Sequence, residues 1–192
     1  ILDGRKTVTR RIVKPRYKKD EYGFNVYTRP YTGGRWAEKI NADEESFEPT
    51  RYVNPPHKIG DILYVRETWQ EGYKGNVDAK GNGVLEYLYK ANGDDISVEF
   101  SNGKWRPSIH MPKDAARIFL KVTNVWIEKL QDISEDSAKA EGIRKKGEDW
   151  EYNCYRDSFI TLWDSIYIKQ GYGWAANPWV WVIEFVKHEV TQ

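Results

Sequence analysis

Between Arg117 and Leu130 the chain carries its longest strand signal, and this run constrains the fold more than any other. Ile118, Leu120 and Val122 keep one phase of a period-two alternation, whereas Val125 and Ile127 keep the other. The phase change at Thr123-Asn124 predicts a bulge or a strong bend, the device by which a sheet closes on itself. A second strong run, Trp179-Val180-Trp181-Val182-Ile183-Glu184-Phe185-Val186-Lys187, follows Asn177-Pro178 and is expected to complete the sheet.

Around these two runs the signals are shorter. A strand is expected from Thr7 up to Pro15, with Thr7, Thr9 and Arg11 on one face and Val8, Arg10 and Ile12 on the other. Another follows the Gly60-Asp61 turn and runs to Trp69. Leu85 to Ala91 is expected to turn at Asn92-Gly93 onto a partner carrying Ile96, Val98 and Phe100, before a second turn at Asn102-Gly103. Pro112 to Ala116 reads as one helical turn. Ser134 is the predicted N-cap of a short helix with Glu135 and Asp136 in its first turn and Gly142 just past its end. A second helix starts near Asp157, where Phe159, Leu162, Trp163, Ile166 and Tyr167 form a core-facing stripe.

Five or six strands, short helices and one bent long strand define an α+β chain built on a small bent β-barrel. The 192 residues fit a single domain, 1–192, with insertions at about 16–56 and 70–83. The first insertion is polar and aperiodic, with a hairpin expected around Thr32-Gly33-Gly34. Insertions of this length serve a function, or ride on the fold with none.

The balance of 30 basic against 29 acidic residues provides no global field toward nucleic acid, so any such affinity must come from local patches. Nine Trp and thirteen Tyr supply core filler, interface anchors or base-stacking platforms. One cysteine, Cys154, excludes an internal disulfide and suits a reducing, cytoplasmic compartment. It and three scattered His give no metal-site spacing, so neither a metal nor a cofactor is expected. No apolar run approaches the roughly 18 residues of a membrane span. The opening Ile1 to Gly4 reads as the end of an element that began upstream.

The candidate chemistry starts at Gly4-Arg5-Lys6-Thr7-Val8-Thr9-Arg10-Arg11. Such a cluster binds phosphates, or it activates a hydroxyl with a neighbouring amine; the stretch alone leaves both open. Lys6 and Thr9 lie three apart, and a regular strand would put them on opposite faces. They converge only if the chain turns after Gly4. Glu67 shares a face with Leu63 and Val65, so it is either buried and paired, with Arg10 or Arg11 as partner, or at the mouth of a cavity. Trp105 and Arg106 suit a stacked base and a phosphate, or ordinary packing of Arg on Trp. Glu141 sits in the last turn of its helix, where the dipole disfavours a carboxylate; it is either a proton donor or an ordinary solvated surface carboxylate.

Read together, these segments resemble the ASCH family of the PUA-like superfamily. The resemblance rests on Ile1-Leu2-Asp3-Gly4-Arg5-Lys6-Thr7-Val8-Thr9-Arg10-Arg11, Gly60-Asp61-Ile62-Leu63-Tyr64-Val65-Arg66-Glu67-Thr68-Trp69, Ala140-Glu141-Gly142-Ile143 and Val182-Ile183-Glu184-Phe185. Trp105-Arg106-Pro107-Ser108-Ile109-His110-Met111-Pro112 and Asn177-Pro178-Trp179-Val180-Trp181 resemble a longer subgroup often carried by phages and prophages. The likeness runs end to end, with 16–56 unmatched.

What it implies is a pseudo-barrel whose cleft recognises RNA or a nucleotide, with Arg5, Arg10, Arg11, Glu67, Trp69, Trp105 and Arg106 around the ligand. One branch of the family hydrolyses N(4)-acetylcytidine with a lysine base, a threonine nucleophile and a glutamate acid, and these fall on Lys6, Thr9 and Glu141. Thr9 would attack the acetyl carbonyl after losing its proton to a neutral Lys6, and Glu141 would protonate the departing amine. A ribonuclease using the same cleft is a third reading. The implied partner is RNA or a modified nucleoside or nucleotide, with no membrane and no obligate protein partner evident.

Overall fold

The structure, a computed structural model, describes residues 1, 3–14, 26–31, 35–40, 51–73, 85–93, 104–144 and 154–189. Its strands are β1 (Val8–Ile12), β2 (Val26–Tyr31), β3 (Arg35–Ile40), β4 (Arg51–Val53), β5 (Ile62–Tyr64), β6 (Trp69–Tyr73), β7 (Leu85–Tyr89), β8 (Phe119–Lys129) and β9 (Trp179–His188). Among the described residues, two α-helices, α1 (Glu135–Ala140) and α2 (Tyr155–Tyr167), stand between β8 and β9. The chain forms two compact units. The first takes Ile1–Asp61 and Lys121–Lys187, the second Ile62–Leu120 and His188–Gln192.

In the first unit β9 lies between β1 and β8 in an antiparallel sheet curled into half a barrel. β1 and β9 are in register from Val8 opposite Glu184 to Ile12 opposite Val180. Pleating then sorts the side chains. Val8, Ile12, Val180 and Val182 join Leu130, Ile133 and Ala138 on one face, and α2 covers that face with Phe159 and Trp163. The other face carries Val13 and Trp181, with Val125, Ile127 and Trp179 against them. Fully burying each such aliphatic side chain contributes about 1.5–3 kcal/mol.

β8 runs unbroken through Thr123-Asn124, although Val125 N–H is taken by the Asn124 side chain at 2.9 Å. The apolar phase changes there because the sheet is covered on both faces beyond that point. Trp126 and Leu130 face the helices, while Val125 and Ile127 face Trp181. The α2 stripe is narrower than its sequence pattern. Phe159 and Trp163 are buried and Tyr167 packs beside them, but Leu162 is 49% and Ile166 50% exposed. The helix meets the sheet along the single i, i+4, i+8 ridge.

The first unit also contains an antiparallel sheet in the order β2-β3-β4. Tyr31 pairs with Arg35, so these strands flank the hairpin expected at Thr32-Gly33-Gly34; those three loop residues lie outside the described ones, as does most of 16–56.

In the second unit β6 and β7 form a hairpin pair, Trp69 opposite Tyr89. Trp69, Tyr89, Met111 and Ala115 make its core. β5 lies beside the approach to β8, with Val65 N–H on the Ile118 carbonyl at 2.9 Å. The strand expected from Ile62 to Trp69 is therefore two strands, with 65–68 outside either of them. The partner expected at Ile96, Val98 and Phe100 and the turn at Asn102-Gly103 lie outside the described residues. Among the described residues, no helix is long and apolar enough to cross a membrane.

Candidate functional site

The site grows from Arg10. Its parity with Val8 and Ile12 turns the guanidinium onto the helix-covered face, where its side chain is 1% exposed. A cation so buried needs partners for its donors. Nε and NH2 both reach Glu128 Oε1, at 2.9 and 2.6 Å, and NH2 also reaches Ser137 Oγ at 2.6 Å. NH1 donates to Glu141 Oε1 at 3.2 Å. The second Glu128 oxygen accepts from Trp126 Nε1 at 2.9 Å, and the Phe159 ring lies 5.9 Å from the guanidinium carbon.

Glu141 is positioned by the end of α1. Ser134 Oγ caps that helix by accepting from Ser137 N–H, as expected, and Glu141 N–H still bonds to the Ser137 carbonyl. Gly142 then takes φ +80°, which reverses the chain. Lys6 lies against this corner. It forms an antiparallel bridge with Glu141, and the neighbouring Thr7 N–H bonds to the Ala140 carbonyl at 2.9 Å. Lys6 Nζ donates to Glu141 Oε2 at 2.6 Å and to the Glu141 carbonyl at 2.9 Å. Glu141 is thus shared between two cations, one oxygen each. Its side chain is 7% exposed and that of Lys6 is 30% exposed, so the lysine end of the network meets solvent.

Thr9 is placed differently. The chain does turn at Gly4, with φ +74°, but the turn precedes Lys6 and leaves Thr7 to Thr9 extended. Thr9 pairs with Ile183, so it belongs to the opposite face of the sheet from Arg10. Its hydroxyl makes no hydrogen bond to Lys6 or to any other described residue. Lys6 and Glu141 are brought together; Thr9 is not brought to them.

The remaining cations of the opening stretch have local partners. Arg5 forms an ion pair with Asp3, and that hydrogen bond holds the Asp3 carboxyl below the usual carboxylate range. Arg11 is exposed and donates to the Arg10 carbonyl at 3.2 Å.

Glu67, Trp69, Trp105 and Arg106 belong to the second unit. Arg10 and Arg11 are not the partners of Glu67, because Arg117 is. Its Nε and NH2 meet the two Glu67 oxygens at 2.8 and 2.7 Å, and its guanidinium lies 3.9 Å over Tyr89. This is the buried, paired reading of Glu67. Trp69 is only 3% exposed, so its ring stacks on no ligand in this arrangement. Arg106 covers it at 5.0 Å, and the two residues form a backbone bridge. Trp105 is half-buried and Arg106 exposed.

Reading the sequence residue by residue missed Glu128, Ser137 and Arg117. The first could have been sought. Arg10 in phase with Val8 and Ile12 is a cation on an apolar face, and it requires an acid from a neighbouring element. No family model, curated protein or solved structure matches the chain.

Proposed function

We propose that this chain is an RNA- or nucleotide-binding module of the ASCH, PUA-like type, in which Lys6 and Glu141 recognise a nucleobase. One observation carries the reading. A partly exposed amine and a carboxylate are locked 2.6 Å apart at a helix end, and Arg10 fixes the carboxylate from within. Such a pair offers a donor and an acceptor side by side, as the hydrogen-bonding edge of a base requires. It carries no net charge, so it suits a polar neutral group better than a phosphate. Lys6 uses two of its three donors on Glu141, and the third is available to a ligand. RNA, or a modified nucleoside or nucleotide, in the cytoplasm is the matching partner.

The test is binding of the four ribonucleosides and of a short single-stranded RNA to the wild-type chain and to Lys6→Ala. Binding that weakens at least tenfold in the variant supports the reading. Binding that is absent, or indifferent to Lys6, overturns it.

Deacylation of N(4)-acetylcytidine is the second reading, favoured by the direct Lys6–Glu141 contact. It requires Thr9 to form an acyl ester while the amine leaves with a proton, and hence a neutral lysine within reach of the Thr9 hydroxyl. Here the amine donates to the carboxylate and Thr9 lies on the other face. Release of cytidine from N(4)-acetylcytidine, lost in Thr9→Ala, would promote this reading over the first.

A further inference from the structure

Beside the same corner, a groove of about 370 Å³ runs between the turn after α1 and the outer side of α2. Its volume falls within the range of small-molecule sites. Ile143 and Arg144 line one wall, and Ser158, Thr161, Leu162 and Ser165 the other. Gly142, where an added β-carbon would run into Lys6, belongs to it as well.

The polar groups of the groove have a definite sense. Thr161 Oγ1 donates to the Asp157 carbonyl at 3.0 Å, and Ser165 Oγ to the Leu162 carbonyl at 2.6 Å. Both hydroxyl hydrogens are therefore turned back onto the helix, and the oxygens face outward as acceptors. Among the described residues, Arg144 supplies the only charge in the lining, and its guanidinium has no ion pair or hydrogen bond there. Ile143 and half-exposed Leu162 provide apolar contact. A complementary ligand part donates through hydroxyl groups, has an apolar carbon face and ends in an anion.

We infer that this groove is the ribose-phosphate subsite of the nucleotide whose base meets Lys6 and Glu141. The ribose hydroxyls donate to Thr161 and Ser165, the sugar carbons lie on Ile143 and Leu162, and the phosphate pairs with Arg144. The inference rests on the base-reading role of Lys6 and Glu141. It also divides the labour: the neutral pair takes the neutral base, and the unpaired cation takes the charge.

The experiment compares each ribonucleoside with its 5′-monophosphate by calorimetry at low and high salt, in wild type and in Arg144→Glu. The monophosphate is expected to bind about tenfold more tightly at low salt, with the advantage shrinking at high salt and disappearing in Arg144→Glu. Equal affinities for the two, both dependent on Lys6, would overturn the subsite and leave the base reading standing. If neither binds, the base reading falls. Ribose 5-phosphate then decides the groove by itself: amide shifts confined to Ser158, Thr161 and Leu162 retain it as a sugar-phosphate site, and unshifted amides remove it.

Discussion

A β-carbon built on Gly142 would lie 2.8 Å from the Lys6 β-carbon, closer than side chains tolerate. The glycine is thus required twice over, by its positive φ and by the approach of Lys6, two residues ahead of β1, to the end of α1. Gly142→Ala should destabilise the chain by about 1–3 kcal/mol and push Lys6 off Glu141. Urea denaturation reads the first effect and the lysine side-chain NMR signal the second. A variant with unchanged stability would mean that the corner is looser than described.

Arg10 is a strut, and its loss should be expensive. Arg10→Ala strands Glu141 and Glu128 without their buried cation, which typically costs about 3–5 kcal/mol. The measurement is the midpoint of chemical denaturation. A change within about 0.5 kcal/mol would show that the network carries little of the unit's stability.

Arg117→Lys tests whether the fork matters in the second unit. A lysine retains the charge but cannot span both Glu67 oxygens or spread over Tyr89, so a loss of about 1–2 kcal/mol is expected. Equal stability of the two proteins would reduce the pair to simple charge compensation.

Cys154 caps α2, its sulfur accepting the Asp157 N–H at 3.2 Å, and desolvation by burial pushes the thiol pKa up. The folded chain then holds this proton at a pH where the unfolded chain has released it. The associated stability is present below the unfolded thiol's value, about 8.5, and is lost as pH rises through the raised folded value. Thiol alkylation should be slow at neutral pH and accelerate only in the alkaline range. Cys154→Ser should keep the cap and abolish that part of the alkaline dependence; an identical stability profile in the serine variant would refute the assignment.

The two long strands, both helices and the Ser134 cap were legible because each is a local pattern of phase or capping. The charge network was legible only in part. Strand parity puts Arg10 and Thr9 on opposite faces of the sheet, but parity cannot say which acid arrives from β8 or that Arg117 takes Glu67. Those pairings join residues far apart in the chain. The breadth of the α2 stripe misled for a related reason: Leu162 and Ile166 fit the helical period, and only the neighbouring surface decides that they stay exposed. Lys6 and Glu141 each stand out in their own segment, but only a likeness between motifs joins them, and the backbone bridge between them has no signature in either segment.

The position of β9 has a kinetic consequence. It pairs with β1 across almost the whole chain, Val8 with Glu184, and it is the last described strand. Until it docks, β1 has no neighbour in its sheet and the Arg10 network has no wall behind it. Closing so long a loop is entropically costly and slow. During synthesis, the pair of β6 and β7 is available to form early, whereas β1 must wait for β9 to emerge before it gains its sheet neighbour.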